Sequence, residues 1–118
     1  MPESELKSML DRTNEIELTV TGRKSGREIS RPVWFVYERN ILYLLPVQGS
    51  DTEWYKNVQK NPTMKISVDG QEITGRARPI TDTNKVKEVT EKFRSKYGNS
   101  DVKKYYTKFD VGVELALK

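Results

Sequence analysis

The chain contains no cysteine and no histidine. Without cysteine there is no disulfide, no thiolate nucleophile and no Cys-ligated metal, and cysteine usage says nothing about redox compartment. Without histidine the commonest general acid–base group and the commonest transition-metal ligand near neutral pH are missing. Ser-His-Asp hydrolysis, zinc hydrolysis and haem ligation by His or Cys are therefore excluded by inventory, and no metal site is expected. What survives is chemistry carried by a bound organic cofactor, with the protein supplying orientation and electrostatics, or binding alone. Long apolar runs are also missing, none approaching the roughly 18 residues of a membrane span. The opening residues Met1 to Glu5 have neither the basic region nor the apolar stretch of a signal peptide, so the expected location is cytoplasmic.

The 118 residues are enough for one domain with a real core, expected over residues 1–118 with a helical segment at 1–14, but too few for a second lobe. A large cofactor must then lie in a groove or at a subunit interface. Hydrophobic residues make up 35% and charged residues 32%, which favours a charged surface around a compact core. The net charge of +4 suggests an anionic partner such as a phosphorylated cofactor, nucleic acid or acidic lipid, and charge alone does not choose among them.

Periodicity outlines the elements. Residues 4–12 read as a short amphipathic helix, a lid or docking element, with Ser4 as candidate N-cap and Leu6, Met9 and Leu10 on one face. Residues 16–21 alternate as a strand. Residues 29–38 read as the next strand, with Pro32 marking an edge or a bulge, and Arg39-Asn40 turns it into an apolar strand at 41–46. That hairpin is expected at the heart of the sheet. Ser50 and Glu53 are spaced as a capping box ahead of a short helix ending before Asn61-Pro62. Strands at 64–68 and 71–79 flank Asp69-Gly70, which suits a type I′ turn. A helix over 83–97 carries Val86, Val89, Phe93 and Tyr97 on one stripe, and a strand over 111–117 closes the chain. The expected fold is mainly β with α: a six-stranded antiparallel barrel with short capping helices.

Three constellations could carry function. The run T-G-R-K-S-G-R, Thr21 through Arg27, has two glycines that let backbone N–H groups face an anion. Its Arg23, Lys24 and Arg27 add charge-assisted hydrogen bonds. It is neither a Walker loop nor a dinucleotide fingerprint, because the spacing is wrong and a strand follows, and an ordinary solvated hairpin turn remains open. The junction from Pro46 to Asn57 meets a helix start that could offer N–H groups to an anion, although Asp51 and Glu53 could satisfy the same helix end. Trp34, Phe35 and Trp54 could wall a planar ring or simply be core.

Read together, L-T-V-T-G-R-K-S-G-R-E-I-S-R-P-V-W-F-V-Y followed by L-Y-L-L-P-V-Q-G-S-D-T-E-W-Y-K-N-V-Q-K-N-P resembles the deazaflavin-dependent nitroreductase and quinone reductase family, from about Glu17 to Tyr97. The resemblance implies a split β-barrel, related to flavin-binding barrels of the pyridoxamine phosphate oxidase type, that passes hydride from a reduced deazaflavin, coenzyme F420, to a small acceptor. It implies that Arg23, Lys24, Ser25, Gly26 and Arg27 hold the cofactor's phosphate and acidic tail. Pro32, Val33 and Trp34 would lie beside the ring, Val47, Gly49 and Ser50 at its opposing edge, and Trp54 and Asn57 at the tail. After Tyr97 the segment Y-G-N-S-D-V-K-K-Y-Y-T-K-F departs from the family spacing, and Tyr97, Tyr105 and Tyr106 are the candidate catalytic residues lining the acceptor pocket. A tyrosine or solvent would supply the proton. A homodimer is expected by resemblance only.

Two alternatives stay open. Flavin mononucleotide would also suit the basic loop, although a polyglutamate tail asks for charge beyond the phosphate, which Arg23, Lys24, Arg27 and Lys56 offer. A nucleic-acid-binding barrel is the other, disfavoured because the aromatics of 33–37 lie in an uncharged run while the cations concentrate in one loop. Removing Arg23 and Lys24 together is expected to weaken cofactor binding and leave stability nearly unchanged.

Overall fold

The structure is a computed structural model that describes residues 3–68 and 70–116, the side chains of residues 3–7 aside. Its described elements run α1 (Glu3–Arg12), β1 (Ile16–Thr21), β2 (Glu28–Val33), β3 (Val36–Glu38), β4 (Ile41–Leu44), α2 (Glu53–Lys60), β5 (Thr63–Val68), β6 (Gln71–Ile80), α3 (Thr83–Tyr97), α4 (Asn99–Tyr105) and β7 (Gly112–Ala116). The strands form one antiparallel sheet in the order β2-β1-β5-β6-β7-β4-β3. No described helix is long and apolar enough to cross a membrane.

Seven strands stand where six were expected, because the run over 29–38 breaks at Trp34 and Phe35. Its first half, β2, is one edge of the sheet, and its second half, β3, is the other. Two residues thus carry the chain from edge to edge, and the curled sheet is closed by covalent chain rather than by a hydrogen-bonded ladder. The same topology corrects the placement of the β3–β4 hairpin, which lies at an edge and not at the centre. Its turn residues Arg39 and Asn40 have φ of 52° and 66°, the left-handed pair a type I′ turn requires. Of the Asp69-Gly70 turn, Asp69 lies outside the described residues, while Gly70 has φ +79° and Val68 pairs with Gln71 across it.

Alternation along the strands sends Leu18, Val20, Leu42, Leu44, Met64, Ile66, Val113 and Leu115 into the barrel, where they pack with Phe35, Trp54, Tyr55 and Val58. Phe35 is therefore core, which settles one of the alternatives open for the aromatics. The α3 stripe of Val86, Val89 and Phe93 covers a second cluster with Val36, Tyr43 and Leu45. Helix α1 begins at Glu3, ahead of Ser4, and the side chains of Ser4 and Leu6 lie outside the described set. It is packed rather than lid-like, with Leu10 only 1% exposed and joined to the barrel core. Helix α4 was not foreseen; its only marks in the sequence are Asp101 in the first turn and Lys103 and Lys104 in the last, charges that complement a helix dipole. Leu117 lies outside the described residues.

Candidate cofactor-binding groove

Strand β2 has one neighbour, β1. In their register Ile16 opposes Val33, Leu18 opposes Arg31 and Val20 opposes Ile29, and directly opposed residues share a sheet face. Ile29, Arg31 and Val33 therefore project on the face that β1 fills with core residues. At this edge helix α2 stands opposite them, and the gap between strand and helix forms two adjoining cavities.

The first, about 290 Å³, is lined by Gly22, Arg23, Lys24 and Ser25 of the β1–β2 loop, Ile29 and Arg31 of β2, and Glu53, Trp54 and Asn57 of α2. The second, about 430 Å³, is lined by Arg31, Pro32, Val33, Val47, Gln48, Thr52, Glu53, Trp54 and Tyr105. They share Arg31, Glu53 and Trp54. One chamber is basic and the next is mostly apolar.

The loop is more tightly used than its glycines suggest. Gly22 N–H donates to the Arg27 carbonyl at 2.8 Å and Gly26 N–H to the Gly22 carbonyl at 3.0 Å. Arg23 N–H donates to Asn57 Oδ1 at 3.1 Å and Arg27 N–H to Ser25 Oγ at 3.2 Å. Among the N–H groups of residues 22–27 only those of Lys24 and Ser25 lack a protein partner among the described residues, so the backbone alone makes a poor anion cradle. Gly26, at φ +73°, closes the turn in the left-handed region that favours glycine.

The loop's cations divide. The Arg23 guanidinium donates to Asn57 Oδ1 at 2.8 Å and to Glu53 Oε1 at 3.0 Å, and its carbonyl accepts from Lys60 Nζ at 3.3 Å. The hydrogen bond and charge of Arg23 hold the Glu53 carboxyl below its ordinary range. Asn57 is buried and serves Arg23. Arg23 is thus bound into α2, whereas Lys24 and Arg27 are exposed with no ion pair among the described residues.

The Pro46–Asn57 junction folds differently from the capping box expected at Ser50 and Glu53. A 3₁₀ turn spans Gly49–Asp51, and α2 starts at Glu53 with Thr52 as its N-cap. Thr52 Oγ1 accepts from Gln48 N–H at 2.7 Å. Ser50 gives its N–H to Asp110 Oδ1 at 2.9 Å and its hydroxyl to Asp110 Oδ2 at 2.5 Å. Burial pushes the Asp110 carboxyl up, but these hydrogen bonds and the Lys108 charge outweigh it and leave the group below its usual range. Gly49 is at φ +57°, and a Cβ there would fall 2.0 Å from Asp110 Oδ1. Gly49 and Ser50 therefore anchor the junction to the chain before β7, and neither lines a chamber; Val47 does.

The tyrosines also divide. Tyr105, 38% exposed, lines the apolar chamber and stacks on Trp34 with ring centroids 4.5 Å apart. Tyr106 is buried, and desolvation pushes its phenol far above the ordinary range. Tyr97 stacks on the other face of Trp34 at 4.3 Å; burial pushes it up to about 12, partly opposed by its hydrogen bond to Phe35. Neither Tyr97 nor Tyr106 lines a chamber. Sequence reading missed Arg31, the cation common to both chambers. Its signal was available: in a strand where Val33 faces the core, period-two alternation puts residue 31 on the same face.

Among solved structures the chain is similar to an F420-H2 dependent reductase at 20% identity, with 86% of this chain and 93% of that one covered and a TM-score of 0.67. It is similar to a conserved hypothetical protein from Mycobacterium tuberculosis at 15% identity, covering 100% and 81%, with a TM-score of 0.80. It is also similar to a putative pyridoxamine 5′-phosphate oxidase from Listeria innocua at 16% identity, covering 97% and 91%, with a TM-score of 0.68. Likeness at such identity defines the fold: a split barrel of the pyridoxamine phosphate oxidase type. The family profile described as F420H(2)-dependent quinone reductase matches residues 3–117, and the chain belongs to that family. It is a deazaflavin-dependent oxidoreductase whose cofactor is coenzyme F420. No curated protein matches the chain.

Proposed function

We propose that F420 lies along the groove between β2 and α2, and that the acceptor reduced there is a small electrophile such as a quinone, a nitro compound or an activated alkene. The observation that carries this reading is the contact of a basic chamber with an apolar one. A planar ring with an anionic tail needs that sequence of surfaces, and the shared residues Arg31, Glu53 and Trp54 put the two within reach of one molecule.

Bound in its reduced form, the cofactor supplies a hydride. The protein's part is placement. Lys24 and Arg27 are free to pair with the acidic tail, and Arg31 with the phosphate where the chambers meet. Arg23 acts less as a ligand than as the strut by which α2 holds the loop. Pro32, Val33, Val47 and Trp54 offer the ring an apolar bed that keeps water out. Tyr105, the one candidate tyrosine lining this space, is the residue this reading assigns to the acceptor side, as proton source or as a wall beside solvent.

Titrating the protein with F420 and, in parallel, with flavin mononucleotide and single-stranded nucleic acid tests the reading. Saturable quenching of deazaflavin fluorescence, weakened by Arg31→Ala, is expected. Tight binding of flavin mononucleotide with no binding of F420 would overturn it.

A further inference from the structure

We propose that Tyr97 is a positioning residue, the bracket that sets the Pro32–Trp34 wall of the groove, and does not donate a proton to the acceptor. The inference rests on the groove reading above and goes beyond it.

At Trp34–Phe35 the chain has left one sheet edge and not yet joined the other, so the Phe35 peptide has no strand partner. Phe35 itself is fully buried, and a buried peptide needs its hydrogen bonds made. The Tyr97 hydroxyl makes them. Phe35 N–H donates to Tyr97 Oη at 3.0 Å, and Oη lies 2.8 Å from the Phe35 carbonyl and 2.8 Å from the Asn14 carbonyl. A hydroxyl has one proton and serves one carbonyl at a time; Lys96 Nζ, 2.9 Å from the Phe35 carbonyl, covers it when the proton turns to Asn14. The side chain of an α3 residue thus supplies the ladder that the sheet lacks at this point.

The ring of the same residue fixes the next one along. Tyr97 and Trp34 stack at 4.3 Å with planes 10° apart, and Phe93 tilts against Tyr97 from behind at 5.9 Å. Pro32 and Val33, which line the apolar chamber, are the residues just before this clamp. A hydroxyl committed to two carbonyls and an amide, in a residue that lines neither chamber, is badly placed to reach an acceptor. Burial raises its phenol to about 12 against the opposing pull of the Phe35 hydrogen bond.

Tyr97→Phe keeps the ring and removes the hydroxyl. In the full chain it should weaken F420 affinity about tenfold, as expected for losing hydrogen bonds worth about one decade. It should also shift the emission of the cofactor-free protein, whose tryptophans are Trp34 and Trp54. The solvent isotope effect on kcat with a simple naphthoquinone should stay as in wild type. Unchanged affinity and emission, with kcat collapsed and the isotope effect abolished, would make Tyr97 the donor and overturn the proposal. Hydrogen exchange on wild type tests it without a variant: the Phe35 amide, outside every strand, should be strongly protected, and exchange at loop rates would refute the bracket. If wild type fails to bind F420, the groove reading falls, while the emission and exchange results still judge the bracket.

Discussion

Strands β2 and β3 come from what reads as one strand, yet they meet opposite fates at the two edges of the sheet. β2 is mostly exposed along its length, pairs only with β1, and faces α2 across an open gap. β3 pairs only with β4 and is covered by α1 and α3. An edge strand must be paired, covered or kept polar. The protein covers one edge with helices and leaves the other as the wall of a groove. The teaching is that one break in a strand creates both a closed seam and an open site, and that the residues at the break belong to the seam.

Breaking the joint itself should cost most. Phe35→Ala removes a fully buried ring and is expected to lose about 3–5 kcal/mol of stability, measured by urea unfolding; a loss under about 1 kcal/mol would mean the two halves do not depend on it. On the open side, Asn57→Ala deletes the acceptor of two hydrogen bonds from Arg23. It should cost about 1 kcal/mol, because the half-buried Arg23 donors lose their partner, and F420 binding should weaken as the loop loosens. Native-like melting in this variant would show that the loop holds itself.

Lys24→Ala with Arg27→Ala sharpens the contrast within that loop. Both residues are exposed, so stability should stay within about 0.5 kcal/mol, while F420 affinity falls and its dependence on salt flattens. Arg23 does not belong with them. The expectation that Arg23 and Lys24 could be removed together without harm to the fold is corrected by the bonds of Arg23 to Asn57 and Glu53.

The smallest effect concerns the closed side and pH. Lys96 sits 3.5 Å from the Phe35 ring centroid, and burial pulls its pKa down to about 8, partly opposed by Asp11. The folded state holds this proton less tightly than the unfolded chain, whose lysine titrates near 10.5. The charged form therefore costs stability below about pH 8, and the cost is relieved as pH rises toward about 10.5. The stability difference between wild type and Lys96→Met should move in favour of wild type across that window. A difference that stays flat from pH 8 to 10.5 would show that Lys96 titrates as it does in the unfolded chain.

Much of this was legible along the chain. The alternation of β1, the α3 stripe, the Arg39-Asn40 turn and the edge role implied by Pro32 all followed from local periodicity and backbone chemistry. Composition excluded histidine and cysteine chemistry, which left an organic cofactor or binding alone, and the paired motifs at 21–27 and 46–57 pointed to the family. The break at Trp34–Phe35 was not legible, since the run Val33 to Tyr37 is apolar throughout and nothing local distinguishes a strand from one torn between two edges. Nor could spacing show that Ser50 serves Asp110, or that Asn57 serves Arg23, since those partners lie 60 and 34 residues apart.

Which residues are chemically able to bind an anion or wall a ring is a property of side-chain type, and the amino-acid order alone determined it for the loop, the β2 strand and the tyrosines. Which of them are free to do so was decided only by the tertiary structure. A hydrogen-bonding group has few bonds to give, and contacts distant in sequence claim those of Arg23, Ser50 and Tyr97 for the fold while leaving Lys24, Arg31 and Tyr105 lining the groove.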